Sequence, residues 1–240
     1  MQHSAKDSVF YDESWTAWSD MKQYGPTSRH QRRLIHSLLA PLEFRSVLDT
    51  GCGVGNLLLE ISEGYPQVTE LAGTDISDGA LRACRQRLPD GVFEYLDIQT
   101  QALNRQFDLT ISVDVLEHVD DDVASLRNIH RMTGKYFLAV TIQGNGLPEW
   151  EAREIGHVRN YRRGELQEKM TGVGFTVERV IEWGFPFYSP LYRWYMNLTA
   201  AGGTEGEFGA ARKLVAQAIY AIFALNSSRR GDVIMVVARV

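Results

Sequence analysis

Cysteine is nearly absent: the 240 residues contain only two, Cys52 and Cys84. That excludes a disulfide-stapled scaffold and a zinc site built on four thiolates. Long apolar runs are missing too. No stretch of 18 apolar residues occurs, so no transmembrane segment is expected. The opening MQHSAKDSVFYDESW has no basic-then-apolar signal pattern, and a cytoplasmic location is the expectation. Nor is positive charge in excess. Lys and Arg number 25 against 30 Asp and Glu, a net charge of -5, which gives no global attraction to nucleic acid or anionic membrane. What is present is ordinary for a folded soluble chain: 44% hydrophobic and 23% charged residues, in a length that suits one large domain with additions.

The chain divides by pattern into four parts. Residues 1–45 are aromatic, then basic, and read as an N-terminal helical lid: Tyr11, Trp15 and Trp18 come first, then an amphipathic helix from Ser28 with Leu34, Ile35, Leu38 and Leu39 on one face, stopped near Pro41. Residues 46–183 alternate strand and helix. The strands are read at 46–50, 68–74, 92–96, 107–113, 135–142 and 175–183, with helix-length segments between them. Such alternation implies parallel βαβ units and a doubly wound α/β sheet. Residues 184–232 break the regularity, with Pro186, Pro190, dense aromatics, a glycine-rich stretch and an apolar helix over 210–225. Residues 233–240, VIMVVARV, read as a final strand.

Four segments at the carboxyl ends of these strands carry the chemistry, which is where open α/β sheets bind ligands. Asp49-Thr-Gly51-Cys52-Gly53-Val-Gly55 joins the first strand to a helix. Glycines there permit a tight turn and close approach of a ligand to backbone. The spacing is G-x-G-x-G, unlike the G-x-G-x-x-G of dinucleotide sites, and the Gly-Lys-Ser/Thr of a P-loop is absent. Asp75 ends the second strand, placed to accept hydrogen bonds from ribose hydroxyls. Asp97 ends the third, placed to face an adenine amino group. Ser112-Val113-Asp114-Val-Leu-Glu117-His118 follows the fourth.

Together these segments resemble the class I S-adenosylmethionine-dependent methyltransferases, specifically the small-molecule enzymes with a V-L-E-H segment. DTGCGVG resembles the glycine motif, TDIS the ribose-binding acidic motif and LDI the adenine-binding motif, and VIMVVARV suits the family's antiparallel seventh strand. The resemblance covers residues 46–183 and the last strand. It implies a Rossmann-like, mostly parallel seven-stranded sheet and S-adenosyl-L-methionine as cofactor, with S-adenosyl-L-homocysteine as product. It further implies that Gly51, Cys52, Gly53 and Gly55 line the methionine and ribose side, and that Asp49 orients the cofactor's amino end. Asp75 and Ile76 would hold the ribose, Asp97 and Ile98 flank adenine, and Val113 and Asp114 line the floor near the donor methyl.

The acceptor side is read more coarsely. His118 is a candidate base because an imidazole titrates near neutrality. His157, in a G-H-x-R-x-Y segment similar to one in several small-molecule methyltransferases, is a second. Arg159 is expected to pair an anionic acceptor group, with Tyr161 beside it. Tyr11, Trp15 and Trp18 are expected to close over the acceptor. No metal is expected: Glu117 and Asp120 to Asp122 read as a solvated helix N-terminus. The segment 184–232 has three readings: a cap over a bulky apolar acceptor, a homodimer surface, or a platform on a membrane. The cap is preferred because its helix is too short to span and its polar face too thin for an interfacial helix.

The expected activity is methyl transfer to a small molecule, at oxygen in preference to nitrogen or carbon. Nucleic-acid methylation is disfavoured. The position of an Asn/Asp-Pro-Pro-aromatic motif reads Asp114-Val-Leu-Glu, and neither cysteine follows a proline. Two other readings compete: a non-catalytic, cofactor-binding partner subunit, and a nicotinamide-dependent oxidoreductase, against which the glycine spacing argues.

Overall fold

A computed structural model describes residues 19–144, 146–148, 151–199 and 206–240. Its centre is a seven-stranded sheet: β1 (Ser46–Thr50), β2 (Glu70–Asp75), β3 (Val92–Tyr95), β4 (Phe107–Val113), β5 (Thr133–Ile142), β6 (Thr176–Trp183) and β7 (Val233–Arg239). The order is β3-β2-β1-β4-β5-β7-β6. β1 pairs in parallel with both β2 and β4, β4 in parallel with β5, and β7 runs antiparallel between β5 and β6. The seven-stranded, mostly parallel sheet expected from the sequence is therefore present, with its last strand reversed.

Period-two alternation builds a core on each face of the sheet. Val47, Leu138, Val140, Val233, Met235 and Val237 point to one face. Their neighbours Leu48, Phe137, Ala139, Ile234, Val236 and Ala238 point to the other. Helices α2 (Pro26–Leu39), α3 (Asn56–Gly64) and α4 (Asp78–Arg87) cover the first face through Leu34, Ile35, Leu38, Leu39, Leu58, Ile61, Leu81 and Cys84. Helices α5 (Asp122–Met132) and α6 (Glu165–Gly172) cover the second through Leu126, Ile129, Met132, Leu166 and Met170. Both faces are covered, so the middle of β5 reads as an apolar run, while β4 alternates apolar residues with the buried hydroxyls of Thr110 and Ser112.

The chain runs β1-β2-β3 toward one edge, then returns to place β4 on the other side of β1. That reversal opens a crevice at the carboxyl ends of β1 and β4. Over it lie α1 (Ser19–Tyr24) and α2. These are joined to the late helix α8 (Ala210–Phe223), so the N-terminal segment and the insertion form one layer. Buried His30 of α2 stacks on Tyr220 (4.1 Å between centroids) and Trp183 (5.4 Å), and its Nε2 lies 2.7 Å from the Tyr220 carbonyl. Arg29 bonds Gln217 at 2.8 Å, and the Phe208 amide donates to Asp20 at 2.6 Å. The remaining described helix, α7 (Arg193–Thr199), follows a π-helical turn over Tyr188–Tyr192. α8 turns Leu214 (73% exposed), Val215 and Ile222 outward. Among the described residues no helix is long and apolar enough to cross a membrane.

Candidate functional site

The turn after β1 is held in a shape that only glycine adopts readily. Gly51, Gly53 and Gly55 have φ of 75°, 52° and 77°, in the left-handed region. The Gly51 and Cys52 amides donate to the Thr74 carbonyl at 2.7 and 3.0 Å, which ties the turn to the end of β2. A Cβ on Gly51 would come within 2.3 Å of Val115 Cγ2, and one on Gly55 within 2.9 Å of Cys84 Sγ. No side chain caps the start of α3, which leaves its first amides for a ligand or solvent.

Asp75 braces the same turn. Its Oδ2 accepts from the Gly53 amide at 2.9 Å and its Oδ1 from the Ser77 amide at 2.9 Å. The Ser77 hydroxyl, not Asp75, caps α4 by accepting from the Ala80 amide. A carboxylate has about four acceptor positions, so Asp75 can brace the turn and still receive ribose hydroxyls. Asp97 accepts from the Gln99 amide at 2.9 Å and closes the turn after β3, with Ile98 buried beside it. Ile76 is half-buried at the same end of the sheet.

The crevice itself is lined by Asp49, Gly51 and Cys52 from β1 and its turn, Asn56 and Leu57 from α3, and Val113 and Asp114 from β4. Lys22, Gln31 and Ile35 close it from α1 and α2. Asp49 is buried, its Oδ1 has no hydrogen-bond partner, and burial and then the Asp75 charge push its carboxyl up to about 8. Such an orphaned acceptor fits a cationic donor group. At the far wall Asp114 has a left-handed φ of 54°, and its carboxylate receives Lys22 Nζ and Gln31 Nε2, each at 3.1 Å. Neither Lys22 nor Gln31 carries a motif that marks it in the sequence. Only folding brings them across 92 and 83 positions to this carboxylate.

Past Asp114 the chain forms a second polar cluster. Glu117 is completely buried; Thr141 donates to its Oε2 at 2.7 Å, while Oε1 has no partner. Burial and then the Asp114 charge push its carboxyl up to about 7. The His118 and His157 rings meet edge to face with centroids 4.7 Å apart. His118 Nδ1 lies 3.2 Å from the Gly156 carbonyl, and burial lowers its pKa well below the ordinary 6.5. His157 Nδ1 lies 3.5 Å from Glu151 Oε2. Glu151 is itself held by Arg193 at 2.5 Å and Asn160 at 3.0 Å, and its pKa falls to about 2. Burial alone would raise it, and the His157, Arg193 and Asn160 contacts outweigh that.

Three expectations from the sequence are corrected here. Arg159 does not point at an acceptor. Its guanidinium donates to the Leu116, Val119 and Asp120 carbonyls and approaches Asp122, locking the loop between β4 and α5. Those carbonyls lie in irregular chain and have no ladder partner, so the guanidinium's fan of donors is drawn there. Tyr161 is core: it is fully buried and its hydroxyl donates to Asp122 at 2.7 Å. Glu117 and Asp122 are not a solvated helix start. Both are buried, Asp122 against Tyr161 and Lys169, and it is Asp121 that caps α5. Tyr11, Trp15 and Trp18 lie outside the described residues.

An open α/β sheet with a reversed last strand, a left-handed glycine turn after β1 and carboxylates ending β1, β2 and β3 defines a Rossmann-like methyltransferase fold. The chain belongs to the methyltransferase-domain family, whose model matches residues 22–180. Membership implies S-adenosylmethionine as cofactor, and the crevice fits it. Asp49 offers an unpartnered buried acceptor, the glycine turn holds left-handed backbone that admits close approach, and Asp75 and Asp97 lie at the carboxyl ends of β2 and β3.

Among curated proteins, a malonyl-[acyl-carrier protein] O-methyltransferase of Anoxybacillus flavithermus is 33% identical over 86 residues, 34% of this chain and 33% of that one. A ubiquinone biosynthesis O-methyltransferase of Pseudomonas paraeruginosa is 33% identical over 115 residues, 44% and 48% of the two chains. The chain thus spans a third to a half of the length of these relatives. Among solved structures, a putative methyltransferase in complex with the Trm112 activator of Haloferax volcanii superposes with a TM-score of 0.63 at 17% identity, covering 98% of this chain and 99% of that one.

Proposed function

We propose that this chain transfers a methyl group from S-adenosylmethionine to a hydroxyl oxygen of a small, largely apolar acceptor. The single observation that carries the reading is the Asp49 carboxylate, buried and unpartnered beside a left-handed glycine turn. The sulfonium supplies an already activated methyl group, so the protein's work is positioning and exclusion of water. Asp49 receives the amino end, Gly51, Cys52, Gly53 and Gly55 admit the chain of the cofactor, Asp75 and Ile76 hold its ribose, and Asp97 and Ile98 flank its base. Val113 and Asp114 then set the floor at the reacting end, with α1 and α2 closing over them through Lys22 and Gln31.

The preference for oxygen rests on the polar cluster beyond Asp114. Glu117, His118 and His157 lie together on the acceptor side, where a hydroxyl must lose its proton as it is methylated. Two of the named relatives methylate oxygen by name, which agrees. An apolar acceptor is favoured by the aromatic density of segment 184–232, where Tyr188 and Tyr192 stack with each other and pack with Trp183 and Phe223. In this reading 184–232 caps the acceptor.

The test is a thermal-shift panel with S-adenosylmethionine, S-adenosylhomocysteine, NAD and NADP, followed by mass spectrometry of candidate hydroxylated acceptors for a gain of one CH2. A ligand at 100 times its Kd stabilises the fold by about 2.7 kcal/mol. Shifts with the first two alone are expected. A shift with a nicotinamide nucleotide would overturn the reading in favour of an oxidoreductase. Binding without turnover of any acceptor would favour a partner subunit.

A further inference from the structure

We propose that Glu117, His118 and His157 form a binding site for one divalent transition-metal ion, contrary to the expectation from sequence that no metal is used. One ligand atom from each residue lies within 4.8 Å of the others. Ligands about 2.0–2.2 Å from a shared ion stand about 3.0–3.5 Å apart, so small side-chain rotations close the set. One carboxylate and two imidazoles on one side, with the remaining positions open, is a donor set for zinc, manganese or iron in the divalent state.

Three observations point to an ion here rather than to a merely packed cluster. First, Glu117 Oε1 is buried without a hydrogen-bond partner, while Oε2 is held by Thr141 at 2.7 Å. A buried carboxylate oxygen left without a partner is costly, and a cation removes the cost. Second, both imidazoles are oriented from behind. His118 Nδ1 faces the Gly156 carbonyl at 3.2 Å, an acceptor that fixes the orientation of the ring. His157 Nδ1 is buried without a hydrogen-bond partner and lies 3.5 Å from Glu151 Oε2, so a small turn of the ring would complete the carboxylate–histidine pairing that supports ligating imidazoles. Third, Glu151 is fixed in that supporting position. Arg193 bridges it at 2.5 Å and Asp232 at 3.1 Å, and Asn160 bonds it at 3.0 Å. Glu151 begins a π-helical turn, a feature that recurs at functional sites.

The other nearby acid, Asp114, is engaged by Lys22 and Gln31 and joins the cluster to the crevice floor. If the proposed methyl transfer holds, an ion at this place offers an open position to the acceptor's hydroxyl oxygen. That selects acceptors with a second oxygen positioned to chelate, such as vicinal hydroxyls. This last step rests on the methyltransferase reading; ion binding itself does not.

The test uses the full chain without an affinity tag, stripped with a chelator. Co(II) is titrated and followed by its visible d–d absorbance, Zn(II) and Mn(II) by calorimetry, and S-adenosylhomocysteine affinity is measured on the same samples. One Co(II) per chain is expected. Glu117→Gln and His157→Ala should each weaken it by more than about tenfold, and Glu151→Gln by about tenfold through His157. All three should still bind S-adenosylhomocysteine, which shows that they fold. No saturable ion, or Co(II) affinity unchanged in both Glu117→Gln and His157→Ala, overturns the site. Ion binding without S-adenosylhomocysteine binding would keep the site and remove the methyltransferase reading; the reverse would do the opposite.

Discussion

The two ends of the crevice are assembled in different ways. At the β1–β3 end each binding group sits on a short turn that its own sequence shapes: three left-handed glycines, then Asp75 bracing Gly53 and Ser77, then Asp97 bonding Gln99. At the β4–β5 end the groups come from far apart. Asp114 is met by Lys22 and Gln31, His118 by Gly156, and Glu151, in the same loop as His157, by Arg193. In the proposed reading, short turns fix the end that would receive the cofactor. Long-range contacts shape the end that would suit one particular acceptor, where loops vary most freely on a constant scaffold.

The most damaging changes to cofactor binding should lie in the short turns. Gly51→Ala should cost the most, because a left-handed φ of 75° and a Cβ 2.3 Å from Val115 Cγ2 both oppose it. Such strain is worth about 3 kcal/mol, and a fall in S-adenosylhomocysteine affinity on the order of 100-fold by calorimetry is expected. Asp75→Ala should follow, at about 1.5–3 kcal/mol or more than about tenfold, since it removes charged acceptors from the ribose and the brace on Gly53. Unchanged affinity in either variant would break the comparison at its local end.

At the other end, changes should register in stability instead. Arg159→Met removes donors to three loop carbonyls and should lower unfolding free energy by about 2 kcal/mol in urea titrations. Cofactor affinity should not move; if instead only the acceptor's KM rose, Arg159 would return to the site.

Asp49 should make binding at the β1 end depend on pH. Its folded pKa of about 8 lies above the ordinary 3.8, so the folded chain holds that proton more tightly than the unfolded one. The ligand-free protein therefore loses stability from this group as pH rises between those values. Binding a cationic amino group needs the ionised form, so S-adenosylhomocysteine affinity should rise about tenfold from pH 6 to pH 7, and Asp49→Asn should flatten the profile. The smallest effect is expected for Tyr161→Phe, which loses one hydrogen bond to Asp122 and about 1 kcal/mol of stability, with acceptor kinetics unaltered.

The strands of the core and the turn glycines are legible in the sequence because their signals are local. Hydrophobic alternation marks a strand, and a glycine between strand and helix marks a turn with few alternatives. Strand and helix boundaries shift by a residue or two from the sequence pattern: β2 begins at Glu70 and α5 at Asp122. The roles of Arg159 and Tyr161 are not legible, because a guanidinium or a phenol has the same sequence signature whether it faces a ligand or a buried Asp122. Glu117 looks like part of an acidic, solvated helix start for the same reason: its neighbours Asp120 to Asp122 are charged, yet it is buried. The π-helical turns over Glu151–Ile155 and Tyr188–Tyr192 have no periodic signature at all.

By itself, then, the sequence determined the alternation of strands and helices, the turn after β1 and the carboxylates at the strand ends, because each depends on residues close in the chain. Tertiary structure alone decided which polar groups share a space. Whether His118 and His157 meet, whether Glu117 finds a partner for both oxygens, and whether α8 packs on the α1–α2 layer over the crevice depend on side chains separated by dozens to nearly two hundred residues. Only a packed core sets those distances, and burial then turns each unpaired polar atom into a demand for a partner.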